Sequence, residues 1–184
     1  MKHIYLVRHG ETLFNKRKKI QGWCDSPLTP LGIKQAQEVK EKIKSLNILL
    51  DDFYCSTSER ACDTLEIIIG NQPYTRLKGL KEINHGLFEG ESEDLHPYKN
   101  GKRVKDEVYP VYYGGESSIH FKQRVFNTIQ NIVQKENENI LIVCHGGTCW
   151  AFASSVGDFH DTVDNCDILH FTYENDQFKY LGKL

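Results

Sequence analysis

At 184 residues, with 39% hydrophobic and 26% charged, the chain has room for a real core and an ordinary globular balance, which argues against a disordered chain. The formal net charge of −2 leaves no global basic field for nucleic acid or anionic membrane, so any hold on phosphate must come from local arginines. No apolar run approaches the ~20 residues that cross a bilayer.

The N-terminus turns polar at Arg8 before a signal-peptide core can form, so a reducing cytoplasm is the expected location. The six cysteines include no C-x-x-C pair, and Cys55 and Cys144 are expected to be small buried thiols.

In chain order, His3 to Val7 reads as a buried strand running into Arg8-His9-Gly10-Glu11. Asp25 to Pro30 is a loop ending at a helix start, with Thr29 as cap and Pro30 in the first turn. Ala36, Val39, Ile43 and Leu46 form that helix's apolar stripe, with Lys40 at its edge. Phe53 to Ser56 is a short strand. Thr57 or Ser58 caps a second helix, with Ala61, Leu65, Ile68 and Ile69 inward and Gly70 as its stop.

Leu77 to Leu87 reads as a brief strand and then a loop, and Glu89 to Gly115 is polar and irregular. Ser117 or Ser118 caps a third helix, striped by Phe121, Val125, Ile129, Ile132 and Val133. Ile140 to Cys144 is the most strand-like run and delivers His145-Gly146-Gly147. A helix over Thr148 to Val156 follows. Strands at Ile168 to Tyr173 and Phe178 to Leu181 close the chain as a hairpin around Asn175-Asp176. This alternation predicts an α/β fold with a mainly parallel sheet, helices on both faces and one domain over residues 1–184.

In such sheets ligands sit beyond the carboxyl ends of the strands, where His9, Ser56 to Arg60 and His145 all fall. The other histidines (His3, His85, His96, His120, His160, His170) read as surface or structural residues. His9 and His145 differ because each ends a buried strand and precedes glycine, which can admit a ligand close to the backbone.

Arg8-His9-Gly10-Glu11-Thr12 resembles the signature of the histidine phosphatase superfamily, phosphoglycerate mutase-like branch. Further blocks match in order: Asn15, Gln21-Gly22, Asp25 to Gly32, Ser56 to Thr64, Leu80 to Gly90, Gly114 to Ser117 and Val143 to Gly147. The resemblance implies that His9 attacks phosphorus to form a phosphohistidine, which water then hydrolyses. It implies Arg8 and Arg60 as clamps on the phosphoryl oxygens, and His145 as a further donor, preferably as imidazolium. Glu82 takes the position of the acid that protonates the leaving group, with Glu11 and Glu89 as fallbacks. Gly10, Asn15, Gln21, Gly22 and Gly146 are the further phosphate-pocket candidates.

No metal or other cofactor is implied. The expected partner is a small phosphorylated metabolite, for a monomer or homodimer. Departures from the pattern are Thr57 for proline, Phe88 for tryptophan, and Trp150 where many relatives place arginine.

The mutases of this family carry a longer insertion after the acid loop, whereas Glu89 to Gly115 spans 27 residues. A shorter cap leaves a phosphohistidine open to water, so hydrolysis is expected. A mutase-type transfer and a non-catalytic phosphate-binding module are the alternatives. Within the cap, Lys99, Lys102, Arg103 and Lys105 could meet a second anionic group or simply be solvated. Tyr109, Tyr112 and Tyr113 could line a pocket or pack the loop down.

Overall fold

The structure, a computed structural model, describes residues 1–95, 98–99, 102–103 and 111–184. A six-stranded sheet is built from β1 (Lys2–Arg8), β2 (Asp52–Ser56), β3 (Thr75–Leu77), β6 (Asn139–Cys144), β7 (Ile168–Glu174) and β8 (Gln177–Lys183), in the order β3-β2-β6-β1-β7-β8. A separate two-stranded ladder joins β4 (Tyr98–Lys99) to β5 (Lys102–Arg103). Strands β3, β2, β6 and β1 are parallel, while β7 and β8 run antiparallel. The β7–β8 turn falls at Asn175 and Asp176, both with positive φ, as the tight hairpin geometry requires.

Both faces of the sheet are covered because the central strands are apolar on both faces. Along β1, Ile4 and Leu6 pack on one side with Phe121, Val125 and Ile129 of α4 (Ser118–Val133) and Phe152 of α5 (Gly146–Val156). Tyr5 and Val7 pack on the other side with Val39 and Ile43 of α2 (Pro30–Ser45) and Ala61, Leu65 and Ile68 of α3 (Glu59–Ile69). Leu6 is fully buried, so truncation to alanine there costs about 2–5 kcal/mol. Cys55 and Cys144 are buried, as expected, and all six cysteines are free thiols.

Local signals set most helix ends. Thr29 accepts from the Gly32 amide, with Pro30 as the first residue of α2. The stripe ends at Ile43, and Leu46 is 48% exposed, because it already sits beyond the last helical turn. Ser58 holds the cap position of α3 but its side chain makes no capping bond. The Asp25 carboxylate takes the Glu59 amide instead, at 2.6 Å, placing a negative charge where the helix dipole favours one.

Two boundaries shift, and one short helix is new. The strand expected from Leu77 spans Thr75–Leu77, paired to β2. Helix α5 begins at Gly146, directly after His145. The short helix α1 (Leu13–Lys16) follows a Thr12/Asn15 capping box that sequence reading missed.

The register places the site. Arg8 pairs with Cys144 and Val7 with Val143 on β1 and β6, while Cys55 of β2 also pairs with Val143. The His9 amide donates to the Cys144 carbonyl at 3.0 Å. Three neighbouring parallel strands thus end together and deliver His9, His145 and Ser56 to one rim.

Candidate active site

Histidine 9 is buried and its Nδ1 lies 2.8 Å from its own neighbour's carbonyl, Gly10 O. A carbonyl only accepts, so Nδ1 carries the proton and Nε2 keeps its lone pair. The Arg60 Nε donates to that Nε2 at 3.2 Å. From β7's leading loop, the Asn165 amide donates to the His9 carbonyl at 2.9 Å.

Arg60 is fully buried, a state that costs several kcal/mol unless its donors are met. They are met by a loop. Nη2 donates to Gly22 O, and Nη1 donates to Cys24 O and to the Asp25 carboxylate, each at 2.9 Å. The Gln21 amide, turned to suit its neighbours, adds its oxygen to Nε and Nη1 at 3.1 and 3.2 Å. Of the five guanidinium hydrogens, a second one on Nη2 is left for a ligand.

His145 stands 5.3 Å from His9 between ring centroids and is fully buried. Its Nε2 lies 2.8 Å from Ser56 Oγ, while its Nδ1 is buried with no partner, as is the Nε of Arg8. Arg8 is tethered by Nη1 to Val163 O at 2.7 Å. Buried polar groups are nearly always paired, so two orphans at the end of one sheet mark a place where something binds. Arg8 Nε is a donor, and His145 Nδ1 is one in the tautomer whose Nε2 accepts from Ser56; that pair suits an anion.

Burial, then the charges of Arg60 and Arg8, push the His9 imidazole well below its ordinary value of 6.5, against the opposing bond to Gly10. Burial, then Arg60, His9, Lys81 and Arg8, push His145 well below that value too. The imidazolium preferred for His145 is thus disfavoured in the free protein by burial first and then by the nearby cations. Where Ser56 Oγ donates to Nε2, the ring proton sits on Nδ1, which is then a neutral donor.

This has a consequence for stability. As pH falls through about 6.5 the unfolded chain protonates both rings, whereas the folded protein takes those protons only at lower pH. Stability is then full above that range and declines below it. Thermal midpoints measured from pH 7.5 to 5.5 should fall, and a His9→Asn variant should show a shallower fall. A wild-type midpoint that held constant or rose across this range would refute the assignment.

Glu82, 9% exposed, accepts from the amides of Ile83 and Gly147, each at 2.8 Å. A Cβ on Gly147 would lie 2.2 Å from its Oε1, so this glycine makes room for the carboxyl. Arg124 of α4, unnoticed in the sequence, holds the segment in place. It donates to the carbonyls of Gly79, Lys81 and Glu82 while paired at 2.6 Å with Glu116.

A cleft of about 430 Å³ is lined by Arg8, His9, Asn15, Gln21, Glu82 and Gly146, with Lys19, Trp150 and Asp161 among its other walls. Gly10, Gly22, Arg60 and His145 do not line it; Arg60 and His145 are fully buried beside His9, which does. The Gly10 amide donates to Thr64 Oγ, and a Cβ there would strike Gly32 O at 2.5 Å. Its glycine serves helix packing rather than a ligand.

The fallback acids are displaced as well. Glu11 accepts from Thr29 Oγ at 2.6 Å, and Glu89 is turned into the backbone. Tyr113 packs on the Phe88 ring at 5.1 Å, and Tyr112 is exposed. The side chains of Lys99, Lys102 and Arg103, and all of His96, Lys105 and Tyr109, lie outside the described residues.

A family model described as histidine phosphatase superfamily (branch 1) matches residues 4–182. The chain belongs to the histidine phosphatase superfamily. Its superfamily relatives include a putative phosphoserine phosphatase 2 of Hydrogenobacter thermophilus, 31% identical over all of this chain and 97% of that protein. A probable phosphoglycerate mutase of Proteus mirabilis is 31% identical over 95% of this chain and 86% of its own. Among solved structures, phosphoserine phosphatase of Entamoeba histolytica in complex with 3-phosphoglyceric acid superposes with a TM-score of 0.78, at 27% identity, covering 100% and 96% of the two chains. The mainly parallel α/β sheet expected from alternating strands and helices, and the phosphoglycerate mutase-like architecture implied by the resemblance, are thus the fold of this histidine phosphatase superfamily member.

Among the described residues, no helix is long and apolar enough to cross a membrane. No three His, Cys, Asp or Glu side chains among them are grouped to hold a metal ion.

Proposed function

We propose that this chain is a phosphatase that hydrolyses a small phosphomonoester through a phosphohistidine on His9. The observation that carries the reading is the pairing of an aimed nucleophile with vacant donors. His9 Nε2 has its tautomer set by Gly10 O, and the orphaned Arg8 Nε and His145 Nδ1 are buried donors.

In the free protein Arg60 Nε rests on the His9 lone pair. An incoming phosphoryl oxygen takes that donor over and frees the lone pair. Nε2 then bonds to phosphorus while the P–O bond to the leaving group breaks. Arg8, Arg60 and His145 hold the non-bridging oxygens, where preorganised donors matter most.

Glu82, protonated in this step, passes its proton to the departing alkoxide. In the second step its carboxylate takes a proton from water as the water oxygen attacks phosphorus. The N–P bond breaks, and the products are an alcohol, inorganic phosphate and neutral His9.

A phosphate-release screen tests this, with His9→Ala as blank and phosphoserine and phosphoglycerate, the compounds named for relatives, first in the panel. Release equal to that of the blank across the panel would defeat the proposal. For the acid, Glu82→Gln should slow alkyl phosphates by about 10²–10⁴-fold. It should spare p-nitrophenyl phosphate by comparison, because that leaving group needs little protonation. Equal slowing of both would count against Glu82.

Mutase-type transfer is the second reading, favoured by the name of the Proteus mirabilis relative. Transfer from a bisphosphorylated sugar acid without phosphate release would establish it over hydrolysis. The 27-residue span from Glu89 to Gly115 supports hydrolysis, since a short cap shields a phosphoenzyme poorly.

A further inference from the structure

The Glu89 carboxylate is held by four backbone amides, with the Cys24 thiol beside them. Its Oε1 accepts from the amides of Trp23 at 2.8 Å and His85 at 2.9 Å. Its Oε2 accepts from Gly22 at 3.0 Å and Cys24 at 2.9 Å. Four amides thus fill the four lone-pair sites that an ionised carboxylate offers. Burial raises this group, but the Cys24 thiol and the amides of Trp23, Cys24 and His85 outweigh it and hold the carboxyl below its ordinary value.

The same three-residue loop faces Arg60 with its other side. Trp23 N–H and Gly22 C=O belong to one planar trans peptide, so they point in opposite directions. Fixing that N–H on Glu89 aims the carbonyl at Arg60 Nη2, where it accepts at 2.9 Å. One residue on, the Cys24 carbonyl and the Asp25 carboxylate take Nη1. The approach is close enough to require glycine: a Cβ on Gly22 would lie 2.4 Å from Glu89 Oε1 and 2.2 Å from Ile83 O.

We propose that Glu89 is a positioning residue for the reaction: by gathering the amides of residues 22–24 it orients the carbonyl cradle that aims Arg60 at His9 and the phosphoryl group. Through His85 it also ties this cradle to the loop that carries Glu82. The inference rests on the phosphatase reading for its catalytic meaning. Glu89 does not line the cleft, and each of its oxygens accepts two amides where each Glu82 oxygen accepts one, so it does not act as an acid. A glutamine there would set an NH₂ group against two amide donors, losing two acceptors with no change in size.

The test is a double-mutant cycle with Glu89→Gln and Arg60→Lys, read by p-nitrophenyl phosphate turnover, by calorimetric binding of orthovanadate, and by thermal midpoint. Alone, Glu89→Gln should lower kcat/KM and weaken orthovanadate binding by about tenfold or more. In the Arg60→Lys background it should cost less than about threefold, because residues that act through one another are non-additive. Its effect should be the same on alkyl phosphates as on p-nitrophenyl phosphate, which a proton donor's would not be. Glu89→Asp keeps the charge one methylene short, and serves for the same cycle if the glutamine variant does not fold.

Full multiplication of the two defects, or unchanged orthovanadate binding in Glu89→Gln, would overturn the proposal. Orthovanadate binding by a wild-type protein that turns over no phosphomonoester would defeat the phosphatase reading instead, while the binding cycle would still report on Glu89.

Discussion

Replacing His9 with alanine is expected to abolish turnover, with kcat falling by at least about 10⁴-fold, as it does when a covalent nucleophile is removed. The acid-labile phosphoryl label that forms on brief exposure to substrate should vanish with it. The reason is geometric. Nε2 is the only His9 ring nitrogen with a lone pair, since Gly10 O holds the proton on Nδ1, and it meets Arg60 Nε with the His145 ring 5.3 Å away. Truncation also takes an acceptor from Arg60 Nε, so orthovanadate affinity is measured beside turnover to separate loss of the nucleophile from a shift of the arginine. A variant that kept its phosphoryl label would place the nucleophile elsewhere.

Arg60→Lys is expected to be the next most damaging change, with kcat/KM lowered by about 10²–10³-fold, the usual loss for one transition-state donor. Lysine keeps the charge but not the planar fork that meets Gly22 O, Cys24 O and Asp25 while pointing Nε at the reacting centre. Because the side chain is wholly buried, the thermal midpoint should drop as well. Assays held well below that midpoint separate the two effects. Activity within threefold of wild type at such a temperature would remove Arg60 from the proposed machinery.

Much of this site is local in origin and was legible for that reason. A buried strand followed by an Arg-His-Gly turn writes the position of His9 into adjacent residues, and the same holds for Ile140 to His145. The apolar stripes of α2, α3 and α4 likewise follow from 3.6-residue periodicity, and the hairpin from Asn175-Asp176. What misled were features whose partner lies elsewhere. Thr57 and Ser58 look like caps for α3, but Asp25 supplies the capping oxygen from a loop 34 residues away in sequence. Leu46 fits the stripe of α2, but the helix stops before it. Glu89 could only be one acid among several until the amides around it were seen.

The sequence by itself determined the residue types, the strand ends on which they ride and the family to which they belong, since each is encoded in contiguous runs. Only the tertiary structure decided which of them meet. The in-register ends of β2, β6 and β1 bring Ser56, His145 and His9 together, and burial, with Arg60 and other cations beside it, disfavours the charged form of His145. Four backbone amides turn Glu89 from a possible acid into the anchor of the Arg60 cradle. Protonation and hydrogen-bond commitment depend on neighbours brought close by folding, and no spacing along the chain records them.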